Sequence, residues 1–260
     1  MTPTLEKTTL SGHFVRHDLM STNPAVSETF FAQLFGWRVE SRDMMGHTIR
    51  LLFAGDHRVG GILPLDAGHG HPSHWVGYAA TNDVDAGYRT ALAAGGSQCY
   101  DAMDMGPLGR VGFLNDVDGA FFHLLTPGYA VADAGFAPGT VVWNELLADH
   151  PEKAAAFYGA LLGWTVTSQK DLCELGTYTV MAKDGVDVAG IMQRQPQMGE
   201  RPTWLFYFGV ADVHAARERV VALGGQARTA VMPIDGLGHF AIVADPTGAA
   251  FALFQSQHQV

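Results

Sequence analysis

Phe30-Phe31-Ala32-Gln33-Leu34-Phe35-Gly36-Trp37 returns as Phe157-Tyr158-Gly159-Ala160-Leu161-Leu162-Gly163-Trp164. The offset is 127 residues at Phe30/Phe157, Gly36/Gly163 and Trp37/Trp164. An aromatic pair, an apolar helix tail and a Gly-Trp stop kept in one register mark a duplicated chain. Val26, Phe30, Leu34 and Trp37 form one apolar stripe after Asn23-Pro24. This predicts a helix begun by an Asn cap, with Pro at its first position, and ended by Gly36.

Working outward, strands are expected at residues 13–19, 48–53 and 59–64, then a Gly- and His-rich linker at 66–73. A second unit follows: a strand at 74–79, an alanine-rich helix at 83–94 and a hairpin of 111–114 and 120–125. Asp116-Val117-Asp118-Gly119 is its turn. The second half repeats this order, with Asp184-Gly185 as a hairpin turn. From Gly61/Gly190 the offset becomes 129, relating Trp75 to Trp204, Tyr78 to Tyr207, Met103 to Met232 and Asp116 to Asp245. A two-residue insertion in the loop after the first helix is the expected cause. The division predicted is an arm at 1–11 and domains at 12–128 and 139–257, with linkers at 126–138 and 193–201.

The chain has 260 residues, 47% of them hydrophobic, enough for two ordinary cores. A net charge of −10 with no basic run argues against nucleic acid and anionic membrane surfaces. No apolar run approaches the ~20 residues of a bilayer span. The first residues are polar, without the apolar core of a secretory signal. Cys99 and Cys173 are not repeat-equivalent, which suggests a reducing compartment. These features predict a cytoplasmic protein, monomeric or homodimeric, acting on a small molecule.

Four βαβββ units, a Phe-Tyr-x-x-Leu-Leu-Gly-Trp helix end and an Asp-Pro-Thr-Gly turn before Phe251-Ala252-Leu253-Phe254 resemble a known pattern. The chain resembles the vicinal oxygen chelate superfamily of glyoxalases, extradiol dioxygenases and bleomycin- or fosfomycin-resistance proteins, and within it the tandem glyoxalase-like proteins. The resemblance implies an α+β fold of tandem duplicated glyoxalase-like domains, with four βαβββ units forming two half-open β-barrels. In metal-dependent members a first-strand His and a last-strand Glu hold the ion, which acts as a Lewis acid. Here the first-strand position falls on Arg16 and Trp143, and the last-strand position on His123 and Ala252. The first barrel therefore offers His74, His123 and His17 to one divalent metal (zinc, iron or nickel), and the second barrel offers none.

Asp18 and Glu145 are acids equivalent across the repeat, candidates for a general base or for bonds to backbone groups. Trp75, Tyr78, Met103, Trp204, Tyr207 and Met232 are shared aromatic and Met positions, expected to contact a ligand. Two functions follow: a lyase, isomerase or oxygenase acting on a small, partly apolar oxygenated compound, or a metal-free binding or sequestering protein.

Overall fold

The computed structural model describes residues 10–44, 46–66, 71–131 and 137–258, without the side chains of Met44 and His47. Most of the expected arm, His69 and part of each expected linker at 66–73 and 126–138 lie outside these residues. The described chain forms four βαβββ modules. The first is β1 (Phe14–Ser21), α1 (Pro24–Phe35), β2 (Arg38–Met44), β3 (His47–Ala54) and β4 (His57–Pro64). The second is β5 (His74–Ala80), α2 (Val84–Ala93), β6 (Ser97–Asp104), β7 (Gly109–Asn115) and β8 (Phe121–Pro127). The third is β9 (Val141–Ala148), α3 (Pro151–Leu162), β10 (Thr165–Asp171), β11 (Thr177–Lys183) and β12 (Val186–Gln193). The fourth is β13 (Thr203–Gly209), α4 (Val213–Ala222), β14 (Gln226–Ala227), β15 (Met232–Ile234), β16 (Gly238–Ala244) and β17 (Ala250–Ser256). The α+β architecture expected of the sequence is present, in an eight-stranded and a nine-stranded sheet, both open.

The strands β2, β6 and β10 follow their helices directly, where the polar sequence gave no separate signal. The insertion is also placed differently. β10 begins 127 residues after β2, whereas β12 begins 129 after β4. The extra residues lie between β10 and β11, in a 3-10 turn at Cys173–Leu175, where Cys173 takes a left-handed φ of 58°. The expected linker at 193–201 starts on the last residue of β12 and holds a 3-10 turn at Pro196–Met198.

The chain divides into two compact units, Met1–Val15 with Gly77–Asp133 and Asn144–Trp204, and Arg16–Val76 with Ala134–Trp143 and Leu205–Val260. The middle unit is thus built on modules two and three, and the terminal unit on modules one and four. The middle unit holds the strand runs β5-β8-β7-β6 and β10-β11-β12-β9. The terminal unit holds β2-β3-β4-β1 and β13-β17-β16-β14. In every module the first and last strands pair in parallel, as with His17 opposite Gly60 and Tyr207 opposite Ala252.

The opening repeat explains each unit's core. In the terminal unit Phe31 packs within 5.5 Å of Trp37, Trp75 and Phe251, centroid to centroid. In the middle unit Tyr158 packs 5.3 Å from both Trp164 and Trp204. The indole N–H of Trp37 donates to the Gly139 carbonyl at 2.9 Å, and that of Trp164 to the Gly12 carbonyl at 2.6 Å. Gly12 and Gly139 are themselves 127 residues apart. Each Gly-Trp stop therefore ties down the residue leading into the other half's first strand, satisfying a buried polar group as it does so.

The turn acids are anchored in parallel fashion. Asp116 accepts from the backbone N–H of Asp118 and Ala120, and from the Tyr158 hydroxyl at 3.1 Å. Asp245 accepts from the N–H of Thr247 and Ala249, and from the Ser27 hydroxyl at 2.7 Å. Among the described residues, no helix is long and apolar enough to cross a membrane.

Candidate functional site

Strand alternation gives each sheet one face turned to the helices and one free face. In the fourth module Phe251, Leu253, Ala241 and Val243 are fully buried on the helix side. The intervening residues face the other way. There Leu205, Tyr207 and Ala252 form a buried cluster, with half-buried Val142, Trp143, Phe240, Ile242 and Phe254 packed against it. Tyr207 and Phe240 lie 5.7 Å apart, centroid to centroid. The result is an apolar face, half of it aromatic and with one phenol, within the terminal unit.

The equivalent face in the middle unit is filled from within. Tyr78, Leu108, Val111 and Leu125 form its buried cluster, with Val15, Met105, Phe113 and Tyr129 packed against it. Leu108 arrives from the turn before β7, and Tyr129 from the chain after β8. Their repeat partners behave differently. Leu237, the partner of Leu108, is 59% exposed, and His258, the partner of Tyr129, is exposed. Accordingly Val111 and Leu125 are buried, while Phe240 and Phe254 are only half-buried.

The expected ligand residues divide by parity. Trp75 and Trp204 lie in the helix-side aromatic cores, packed on Phe31 and Tyr158 respectively. Tyr78 and Tyr207 lie on the free faces. A spacing of three along a strand puts two side chains on opposite faces, a signal already present in the sequence. Met103 sits on β6 opposite Val111, and Met232 on β15 opposite Phe240, both half-buried.

The expected metal ligands are dispersed in role. The His17 ring packs 4.6 Å from Phe206 in the terminal unit. His74 shares a hydrogen bond with the Pro72 carbonyl at 2.8 Å, and burial lowers its pKa. In the middle unit the His123 ring is caged by Tyr78, Phe113 and Phe121 at 4.5–4.9 Å. Among the described residues, no three His, Cys, Asp or Glu side chains are grouped to hold a metal. At the first-strand position the Arg16 guanidinium is paired with Asp18 at 2.8 Å, the two being 3% and 1% exposed. A fixed cation there opposes a divalent one, so the described residues do not fit the metal that the resemblance implies.

Asp18 thus has an arginine partner that the strand spacing of two made available. Gly60 and Gly61 leave room for this pair: a Cβ on Gly61 would meet Arg16 Nη2 at 3.1 Å and Asp18 Oδ1 at 3.4 Å. Glu145 is 7% exposed and lies opposite Gly190 on β12. A separate groove of about 570 Å³ runs between α1 and α4, bordered by Val26, Phe30, Leu223 and Pro246. It has no ionisable lining and lies on the helix side.

Comparisons with known proteins agree with this architecture. A family model described as a glyoxalase-like domain matches residues 140–254. "Putative glyoxylase CFP32" of Mycobacterium tuberculosis (strain CDC 1551 / Oshkosh) is 32% identical over 247 residues, 93% of this chain and 94% of that protein. "Anthracycline biosynthesis protein DnrV" of Streptomyces peucetius is 32% identical over 256 residues, 92% of this chain and 91% of that one. Two solved structures share the fold at low identity. The 2,3-dioxygenase LapB from Pseudomonas sp. KL28 superposes with a TM-score of 0.70 at 13% identity, covering 97% of this chain and 96% of its own. The Mn(II)-bound glyoxalase from Novosphingobium aromaticivorans gives 0.68 at 14% identity, covering 96% and 84%. Duplicated modules, reciprocal Gly-Trp anchors and relatives matched over nearly their whole length lead to one conclusion: the chain belongs to the glyoxalase-like family of the vicinal oxygen chelate superfamily.

Proposed function

We propose that this protein binds a small, planar, oxygenated aromatic molecule on the free face of its fourth module, without a resident metal. One observation carries the reading. Trp143, Phe240, Ile242 and Phe254 stay half-buried around Tyr207, while Leu237 is exposed and is not part of that cluster. Flat aromatic side chains favour a flat aromatic partner through offset or edge contacts, about 0.5–1.5 kcal/mol each beyond area burial. Exposed apolar area of this kind gains from being covered, at about 25 cal/mol per Å². The Tyr207 hydroxyl gives the face one polar group to orient an oxygen of the ligand. The relatives named for anthracycline biosynthesis support the same chemistry, since anthracyclines are fused-ring hydroxyquinones.

The first-strand positions support a metal-free reading, with an ion-paired arginine at Arg16 and an indole at Trp143. The role we assign to the face is therefore binding and orientation.

Calorimetric titration with 1,4-dihydroxyanthraquinone tests the reading. With about 18 heavy atoms at about −0.3 kcal/mol each, the expected Kd is on the order of 0.1 mM. Phe240→Ala or Phe254→Ala weakens it about tenfold, the loss of one aromatic contact. Absence of binding, or binding unchanged in both variants, contradicts the reading.

A further inference from the structure

The middle unit joins the β7–β8 turn to the start of α3 through ionisable side chains. Asp116 and Asp118 of that turn are 3% and 5% exposed. Asp118 accepts from the backbone N–H of His150 at 2.6 Å and lies 2.7 Å from Nδ1 of the same residue. His150 is the cap residue before α3, and its ring is exposed. Further along the helix, the Tyr158 hydroxyl donates to Asp116 at 3.1 Å and accepts from the Trp204 indole at 3.0 Å. The two carboxylates of one turn therefore hold α3 at His150 and at Tyr158.

The terminal unit makes the equivalent joint from other groups. By the repeat offsets, Asn23 stands for His150, Ser27 for Ala154 and Thr247 for Asp118. Asp245, the counterpart of Asp116, accepts from the hydroxyls of Ser27 and Thr247 at 2.7–2.9 Å. Amide and hydroxyl side chains keep one charge state across the ordinary pH range.

In the middle unit the charge changes with pH. Burial, with a smaller contribution from the Asp118 charge, pushes the Asp116 carboxyl up to about 6. Histidine is the side chain that ordinarily changes charge between about pH 5 and 8. Burial and the facing Asp116 keep the Tyr158 phenol protonated throughout. Glu152 and Lys153, both exposed, are the other charged side chains of the first turn of α3. With protons on Asp116 and His150, the joint holds one carboxylate beside one imidazolium. With both released, it holds two buried carboxylates in one turn. A groove of about 350 Å³, bordered by Ala94, Val117, Lys153, Ala156 and Phe157, gives the start of the helix room to shift.

We infer that Asp116, Asp118 and His150 form a proton-linked latch that docks the start of α3 on the β7–β8 turn at acidic pH and loosens it towards neutrality. The docked state holds the Asp116 proton more tightly than an open one. Docking is therefore fullest below about pH 4 and is lost as the pH rises through about 6.

Amide hydrogen exchange between pH 5 and 7.5, followed by NMR and corrected for the intrinsic pH dependence of exchange, tests the inference. The reporter is the Ala154 amide, bonded to the His150 carbonyl at 3.0 Å. The control is the Ser27 amide, bonded to the Asn23 carbonyl at 3.2 Å. Protection at Ala154 is expected to fall about tenfold over this range, and that at Ser27 by less than about twofold. The fall at Ala154 is insensitive to about 0.5 M urea, because a local opening exposes little surface. Asp116→Asn keeps the acceptor for the turn amides and cuts the fall to about threefold or less. Asp118→Thr/His150→Asn, which installs the pair of the terminal unit, also lessens it. A fall at Ala154 that is matched at Ser27, steepens with urea or persists undiminished in both variants overturns the inference. If a variant fails to fold, the wild-type contrast between Ala154 and Ser27 decides.

Discussion

The free faces of the second and fourth modules descend from one pattern and end in opposite states. Tyr78 and Tyr207 occupy the same place at their centres. In the second module Leu108 and Tyr129 close over that centre, and in the fourth their partners Leu237 and His258 are exposed. One copy is a packed core and the other is only half covered. The first and third modules also differ in polar residues: Asp18 pairs with Arg16, whereas the position equivalent to Arg16 is Trp143 and the Tyr178 hydroxyl lies over Gly190. Duplication here preserved the scaffold and distributed the chemistry unevenly.

The largest effect is expected in the first module. Arg16→Met leaves the Asp18 carboxylate buried beside no guanidinium and destabilises by about 3–5 kcal/mol in urea denaturation, with much of that recovered in Arg16→Met/Asp18→Leu. A loss below 1 kcal/mol would remove the contrast with the third module. Next comes the leucine pair. Leu108→Ala costs about 2–5 kcal/mol as a cavity in a closed face, whereas Leu237→Ala stays within about 0.5 kcal/mol. Equal effects would erase the distinction between closed and open faces.

Asp116 gives a pH signature to the middle unit. Burial raises its pKa from 3.8 to about 6, against the hydrogen bonds from Ala120, Asp118 and Tyr158. The folded state then holds the proton more tightly than the unfolded chain. Its contribution to stability is full below about pH 4 and is lost as the pH rises through about 6, by at most about 3 kcal/mol. Asp116→Asn removes that slope from a series of denaturation curves between pH 4 and 7. A slope that persists in the variant assigns it to other groups. The smallest effect is on binding, the roughly tenfold loss in Phe240→Ala or Phe254→Ala, about 1.4 kcal/mol.

Much of the scaffold was legible in the sequence. The repeated Phe-Phe/Tyr and Gly-Trp residues carry the duplication, the helix stops and the 127 offset, and Gly61/Gly190 onward carries the 129 offset, because helix stops and cores depend on local pattern. The alternation that separates Trp75 from Tyr78 was equally available, yet both had the same aromatic character and were grouped together. The exposure of Leu237 was not legible. Leu108 and Leu237 are the same residue before the same glycine, and the chain around each decides which one is covered. The Tyr178–Gly190–Glu145 arrangement was hidden for a similar reason. Glycine marks close approach of something, but the sequence does not name which side chain crosses it.

The most direct test of the open face is a methyl-detected NMR titration with 1,4-dihydroxyanthraquinone. Saturable shifts of the Ile242 and Val142 methyls are expected, with Val111 and Leu125 unmoved. Shifts centred on Val111 and Leu125, or none at either face, would contradict it.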